Sequence, residues 1–261
     1  ELLLCENKEI CRQKAEALTA LNAERKEMTA DGVKAAKEYL ESTGHAADKV
    51  LVVYLPECHE SIAGIIAGRM KEYYHKPVFV LTRTKEGLKG SGRSIEAYHM
   101  YQEMNKIKEC FDKFGGHPMA AGLSMKEDKL EEFRERLNAN AVLTEDDFVE
   151  KVHIDVALPV SYLSEKLIKE FELLEPFGNE NTKPVFAQKN LYIKGMRILG
   201  TTGRCMKLFL TDENGTNVDA MYFGESDGFL EELSSFSGKE EAERVQKGLS
   251  HHIWMDVTYY P

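Results

Sequence analysis

A chain of 261 residues, 43% hydrophobic and 30% charged, has room for about two domains and the balance of a globular protein, which excludes a disordered tract. No apolar run approaches the roughly 20 residues that span a bilayer. Glu1 to Arg12 carry no basic stretch leading into an apolar core, so neither a membrane span nor a signal peptide is expected. The net charge of −10 sets nucleic-acid binding against the average, so any phosphate contact has to come from a local cluster of Lys and Arg.

Residues 1–44 are rich in Ala, Glu, Lys and Leu and hold no Pro. Leu18, Leu21, Arg25 and Met28, then Val33, Ala36 and Leu40, recur at helical spacing. They predict two helices, or one broken near Thr29-Ala30-Asp31-Gly32, with Gly44 as the stop. No initiator Met precedes them, and the chain reads as part of something longer. Lys49–Leu55 predicts a buried strand stopped by Pro56, Glu60–Tyr74 a helix, Pro77–Thr82 a second strand and Gly87–Ser94 a third. Helices at Tyr98–Glu109 and Glu127–Asn140 flank a glycine-rich turn and a short strand, Ala121–Met125. This is the alternation of a mixed α/β domain.

The polar stretch Leu143–Asp147 predicts a linker, which places one domain at 45–142 and another at 143–261. Beyond it Lys151–Ala157, Pro184–Leu199, Cys205–Asp212, Val218–Phe223 and His252–Tyr259 are strand-like. They are broken by Gly203, the hairpin signal Asn214-Gly215 and a Gly224–Gly228 loop. Helical stretches fall at Ser164–Leu174 and Glu240–Lys247. A mostly antiparallel set of about five strands suggests a small OB-type barrel. Cys5, Cys11, Cys58, Cys110 and Cys205 are scattered without a CxxC or a zinc-ligand spacing, and read as reduced thiols of a cytoplasmic protein.

Two short segments carry phosphate chemistry. In Gly90-Ser91-Gly92-Arg93-Ser94 the glycines permit close backbone approach to an anion, Ser91 and Ser94 add hydroxyls, and Arg93 offers a planar fork. A flexible turn has the same composition. In Phe114-Gly115-Gly116-His117-Pro118 the paired glycines would leave the His117 imidazole at a loop tip, where it can donate to a phosphate oxygen or a leaving alkoxide. A turn histidine in solvent reads the same way. Both segments are expected in loops of one domain, and together they are more specific than either alone. Between Lys183 and Thr211 there are six cations, Lys183, Lys189, Lys194, Arg197, Arg204 and Lys207, and no Asp or Glu. Such a run is a solvated face or a phosphate track. Tyr192, Phe209, Tyr222, Phe223 and Trp254 offer aromatic faces for bases, or pack a core.

The pairing of GSGRS with FGGHPMAAGLS resembles the DHH-associated domain of RecJ-type exonucleases, in the DHH phosphoesterase superfamily. Leu18-Thr-Ala-Leu-Asn22-Ala-Glu-Arg25 resembles the connecting helix that precedes that domain. His59-Glu-Ser-Ile-Ala-Gly64 resembles a helix opening, with Cys58 where Trp is usual and Ser61 where Gly is usual. Leu174-Glu-Pro176-Phe177-Gly178-Asn179 resembles the entry to the RecJ OB domain. The resemblance implies connector helices over 1–44, an α/β DHH-associated domain with a mixed sheet over 45–142, and an OB-type barrel over 143–261 that stops short of its last strands.

It further implies the substrate-binding part of a 5′-to-3′ single-stranded DNA exonuclease of repair and recombination, itself inactive alone. His117 would contact the phosphate in the transition state. Ser91, Gly92, Arg93, Ser94, Gly115 and Gly116, with Arg25 and His59, would bind phosphate. The six cations with Tyr222 and Phe223 would bind DNA. Mn²⁺ or Mg²⁺ would be held by a preceding domain. No Asp-x-Asp or Asp-His-His occurs, and His251-His252 beside a strand does not replace them, so no metal site is expected. Single-stranded DNA is the implied partner, with a single-strand-binding protein and a helicase in the intact system. An oligonucleotide or dinucleotide phosphodiesterase of the same superfamily, and a non-catalytic single-strand-binding module, are the alternatives.

Overall fold

A computed structural model describes residues 2–178, 180–201, 203–249 and 253–261, which divide by packing into two units, 1–150 and 151–261. The first holds, in chain order, α1 (Lys8–Thr43), β1 (Leu51–Tyr54), α2 (Glu60–Tyr74), β2 (Val78–Thr84), β3 (Gly87–Arg93), α3 (Met100–Asn105), β4 (Lys113–His117), β5 (Ala120–Met125) and α4 (Leu130–Asn140).

Asn7 opens α1 by accepting the backbone N–H groups of Glu9 and Ile10, and Gly44 closes it at φ 77°. The break expected near Thr29–Gly32 does not occur. A Cβ on Gly32 would run into Ile66 of α2, so this glycine serves close approach of two helices and not a turn.

The five strands lie in the order β1-β2-β3-β5-β4, with β1 and β2 parallel and all other pairs antiparallel. Alternation along each strand feeds two cores. Leu51, Val53, Val78 and Val80 meet Ala36 and Leu40 of α1 and Ile62, Ile66 and Met70 of α2. Phe79, Leu81, Leu88, Leu123 and Met125 meet Met100 and Met104 of α3 and Phe133 and Leu137 of α4. Arg134, 4% exposed, donates to the Tyr39 hydroxyl at 2.6 Å and the Val52 carbonyl at 3.3 Å, which ties α4 to α1 and β1. The polar stretch read as a linker belongs to this unit: Leu143 is buried in the α3–α4 core and Phe148 packs against it.

The second unit holds β6 (Val156–Ala157), α5 (Glu165–Phe171), β7 (Phe186–Leu199), β8 (Cys205–Thr211), β9 (Asn217–Tyr222), α6 (Ser226–Ser237), α7 (Lys239–Gln246) and β10 (Trp254–Tyr259). Its sheet runs β10-β7-β8-β9, all antiparallel, with β6 parallel to the start of β7. A bulge between Ile193 and Gly195 bends β7, which pairs with β10 along its first half and β8 along its second. The result is a curled half-barrel of OB type. Leu191, Ile193, Met196, Met206, Leu208 and Leu210 fill it, closed by Leu233 of α6 and Val245 of α7.

The Asn214-Gly215 hairpin is present: Asp212 accepts the N–H groups of Asn214 and Thr216, and Gly215 sits at φ 85°. Two expectations fail. The strand over 151–157 shrinks to Val156–Ala157, and the glycine-marked loop at 224–228 instead starts α6. Among the described residues no helix is long and apolar enough to cross a membrane.

Candidate nucleic-acid interface

Both glycine-rich motifs lie in strands, the first inside the strand expected over Gly87–Ser94 and the second where a glycine-rich turn was expected. Gly90–Arg93 is the end of β3, paired on both sides by β2 and β5; Gly115–His117 is the end of β4. Their register brings them together. Arg93, Ala120 and His117 stand opposite one another across β3, β5 and β4; so do Ser91, Gly122 and Gly115, and likewise Lys89, Ser124 and Lys113. Directly opposed residues share a face. This face is the reverse of the one through which Leu88, Ala121 and Leu123 enter the α3–α4 core.

Helix α2 walls it on the β3 side. A Cβ on Gly64 would lie 2.9 Å from Arg93 Nη2, so Gly64 makes room for the guanidinium. Arg93 Nη1 donates to the Gly92 carbonyl at 2.8 Å, its one hydrogen bond among the described residues. Gly115 and Gly122 form an uncovered floor, since an added Cβ meets nothing within 4 Å at the first and only Gly90 O at 3.9 Å at the second. Glycine weakens a strand, and at such a place it marks close approach by a ligand.

His117 is exposed, and its Nδ1 accepts the Met119 N–H at 3.3 Å. The neutral ring therefore carries its proton on Nε2, free to donate outward. Lys89 Nζ meets Glu60 of α2 at 2.9 Å, and that hydrogen bond and charge hold the Glu60 carboxyl below its ordinary range. The face thus presents planar, ammonium and imidazole donors around a flat floor, with one carboxylate at its rim. Donors of these kinds are those that pair with anions.

Several expected contacts fall elsewhere. Ser94 is buried, its hydroxyl donating to the Tyr98 carbonyl at 2.5 Å and its N–H to the Met119 carbonyl. Gly92 faces the core, where a Cβ would lie 2.7 Å from Phe79. Gly116 turns away from the open face, where a Cβ would strike Ala120 and Ala121. His59 caps α2, its Nδ1 accepting the Ser61 N–H at 3.3 Å, at the Lys89 end of the wall. Arg25 is exposed on α1 and bonded to Asn22. Lys89 and Lys113, unremarked in the sequence, share the face with Gly122 and Ser124, which the second motif contains without a role; strand parity and register were the signals that find them.

In the second unit, the Trp254 and Tyr192 rings lie 5.5 Å apart, tilted at 55°, on the outer face of the sheet, with Trp254 53% exposed. Phe209 lies on the same face of β8, with Lys207 Nζ 5.5 Å from its ring. Of the six cations, Lys194, Arg197 and Lys207 share this face, and Arg197 and Lys207 are directly opposed. Lys207 is held by Asp219 at 2.7 Å, and Lys194 by Asn217 at 2.7 Å. Arg204 reaches Glu225, Lys183 stands over Tyr260, and Lys189 is exposed near the start of β7. Tyr222 is turned to the core side with its ring 5.3 Å from that of Phe229 of α6, whereas Phe223 is exposed beyond β9.

Among the described residues no three His, Cys, Asp or Glu side chains gather as a metal site would require. Asn179, His251 and His252 lie outside the described residues.

Residues 47–142 match the DHHA1 domain family and residues 154–257 the RecJ OB domain family. The single-stranded-DNA-specific exonuclease RecJ of Bacillus subtilis is 29% identical over 230 residues, 87% of this chain and 29% of that protein. That of Salmonella typhimurium is 42% identical over 144 residues, 52% of this chain and 25% of that protein. The crystal structure of Thermus thermophilus RecJ in complex with Mg²⁺ matches with a TM-score of 0.67 at 28% identity, over 87% of this chain and 34% of the other. The chain spans about a third or less of the length of these relatives.

Proposed function

As the chain joins a DHHA1 domain to a RecJ OB domain, we propose that it holds the substrate of a 5′-to-3′ exonuclease specific for single-stranded DNA. Arg93 takes the 5′ phosphate through its fork, Ser91 adds a hydroxyl, and the Nε2–H of His117 donates to the same group and steadies charge as the phosphodiester is attacked. The outer face of the second unit binds the strand by stacking on Trp254, Tyr192 and Phe209 and by phosphate contacts from Arg197 and its lysine neighbours.

Divalent-metal chemistry, in this proposal with Mn²⁺ or Mg²⁺, lies in the length of the relatives that this chain does not span. Among the described residues no three His, Cys, Asp or Glu side chains gather, and the roles proposed for this chain's residues are contacts to phosphate and base. The intact system includes a helicase and a single-strand-binding protein, because an enzyme confined to single strands needs duplex opened and kept open. Five free cysteines fit a reducing cytoplasm. The presence of the RecJ OB domain favours long strands over dinucleotides as substrate.

The observation that carries the proposal is the register that sets Arg93 and His117 on either side of Ala120, beside the glycine floor of one open face. The experiment is anisotropy binding of 5′-phosphorylated and 5′-hydroxyl single strands to the 261-residue chain. A preference for the phosphate of about tenfold or more is expected. Equal affinities overturn the end-gripping role and leave a single-strand-binding module.

A further inference from the structure

The face of β3, β5 and β4 is longer than one phosphate requires. Arg93 and His117 occupy one end of it. Lys89 and Lys113 occupy the other, each four residues down its strand, about 14 Å away at 3.4 Å per residue. Between the ends lie only Ser91, Gly122 and Gly115, a row without bulk or charge. Two cationic ends separated by a flat neutral middle match a linear polyanion and not a single small anion. An extended nucleotide advances roughly as far as two strand residues, so the two ends are set about two nucleotides apart.

The far end is itself built for an anion. Ser124 lies between the two lysines and offers a hydroxyl. The Lys113 side chain is exposed and its ammonium has no ion-pair or hydrogen-bond partner among the described residues. Lys89 is held by Glu60 in a surface pair, both side chains about half exposed, which fixes its ammonium on this face at little energetic gain. Strand β4 is the sheet edge, so every second N–H along it also points away from the ladder.

We propose that the row of Lys113, Ser124 and Lys89 is a second phosphate subsite, which takes the internal phosphate about two nucleotides in from the one at Arg93 and His117. This rests on the reading of that face as the holder of the terminal phosphate. It makes the first unit a reader of length as well as of the end: a 5′-phosphorylated trinucleotide fills both ends, and a mononucleotide fills one.

The test measures binding of the 261-residue chain to 5′-phosphorylated thymidine oligomers of one, two, three and four nucleotides. The parent should gain affinity most steeply between two and three, by about tenfold for one charge-assisted contact. Lys113→Ala should remove most of that step, and Lys113→Arg should restore it. Lys108→Ala, an exposed charge removed from the far side of the sheet, should leave the step in place. The subsite is overturned if Lys113→Ala weakens mononucleotide and trinucleotide by the same factor, if Lys108→Ala acts equally, or if affinity rises evenly with length. Failure of the underlying reading looks different: Arg93→Ala would then leave every length unchanged, whereas failure of the second subsite leaves Arg93→Ala effective and the step untouched by Lys113.

Discussion

The two exposed sheet faces of this chain use opposite materials. That of β3, β5 and β4 has no aromatic residue, a glycine floor, and donors at its ends. That of β10, β7, β8 and β9 carries Trp254, Tyr192 and Phe209, and two of its three cations are already engaged by Asp219 and Asn217. A flat floor with free donors suits a phosphate, whose charge is its only handle. Rings beside partly neutralised cations suit bases, whose faces are apolar and whose recognition need not depend on an end. Each face has one cation paired to a carboxylate, Lys89 with Glu60 and Lys207 with Asp219, so what separates them is the glycine floor of the one and the aromatic rings of the other.

The contrast predicts separable losses. Arg93→Ala should reduce the preference for a 5′-phosphorylated strand about ten- to a hundredfold, with 5′-hydroxyl strands barely affected; Arg93→Lys should rescue poorly, because it keeps charge and loses the fork. Equal binding by the Lys variant and the parent would rule out the forked contact. Trp254→Ala should cost about 1–3 kcal/mol in affinity for long single strands whatever their 5′ end. A change in end preference would mean that the two faces are not independent.

Stability separates the two sides of the first sheet. Gly92→Ala drives a Cβ toward Phe79 and should destabilise by about 1–3 kcal/mol in denaturant melts. Gly122→Val, on the open side, should leave the melt near the parent's and lower phosphate binding. The smallest effect is a gain: Asp219→Asn frees Lys207 and should steepen the salt dependence of single-strand binding by about 0.7 log units per log unit of salt. An unchanged slope would remove Lys207 from the DNA contact.

Much of this arrangement was legible in the sequence, and the errors share a cause. GSGR and FGGH were expected together, because residue types that serve an anion are uncommon in company, and the register sets Arg93 and His117 on one face. Their glycines nevertheless suggested loops, since a strand of glycines is held by its neighbours' ladders and not by its own propensity. Ser94 looked equivalent to Ser91. They are an odd number of residues apart, and the chain leaves the strand between them, so one faces the groove and the other lies beneath Tyr98. Gly32 looked like a helix break because nothing local announces that Ile66 needs the space. In the basic run from Lys183, the partners of Lys207 and Lys194, Asp219 and Asn217, were not legible because they come from a later strand.

The position of β4 has a consequence for how the grip fails. It is the last strand of its sheet and is held by one ladder, whereas β3 is held by two. Edge elements open at lower free energy than central ones. Mild warming should therefore release His117 and Lys113 while Arg93 stays fixed, and binding should decline in two stages before the cores melt. Hydrogen exchange would record it as faster amide turnover along Lys113–His117 than along Gly87–Arg93, a hand whose outer fingers tire first.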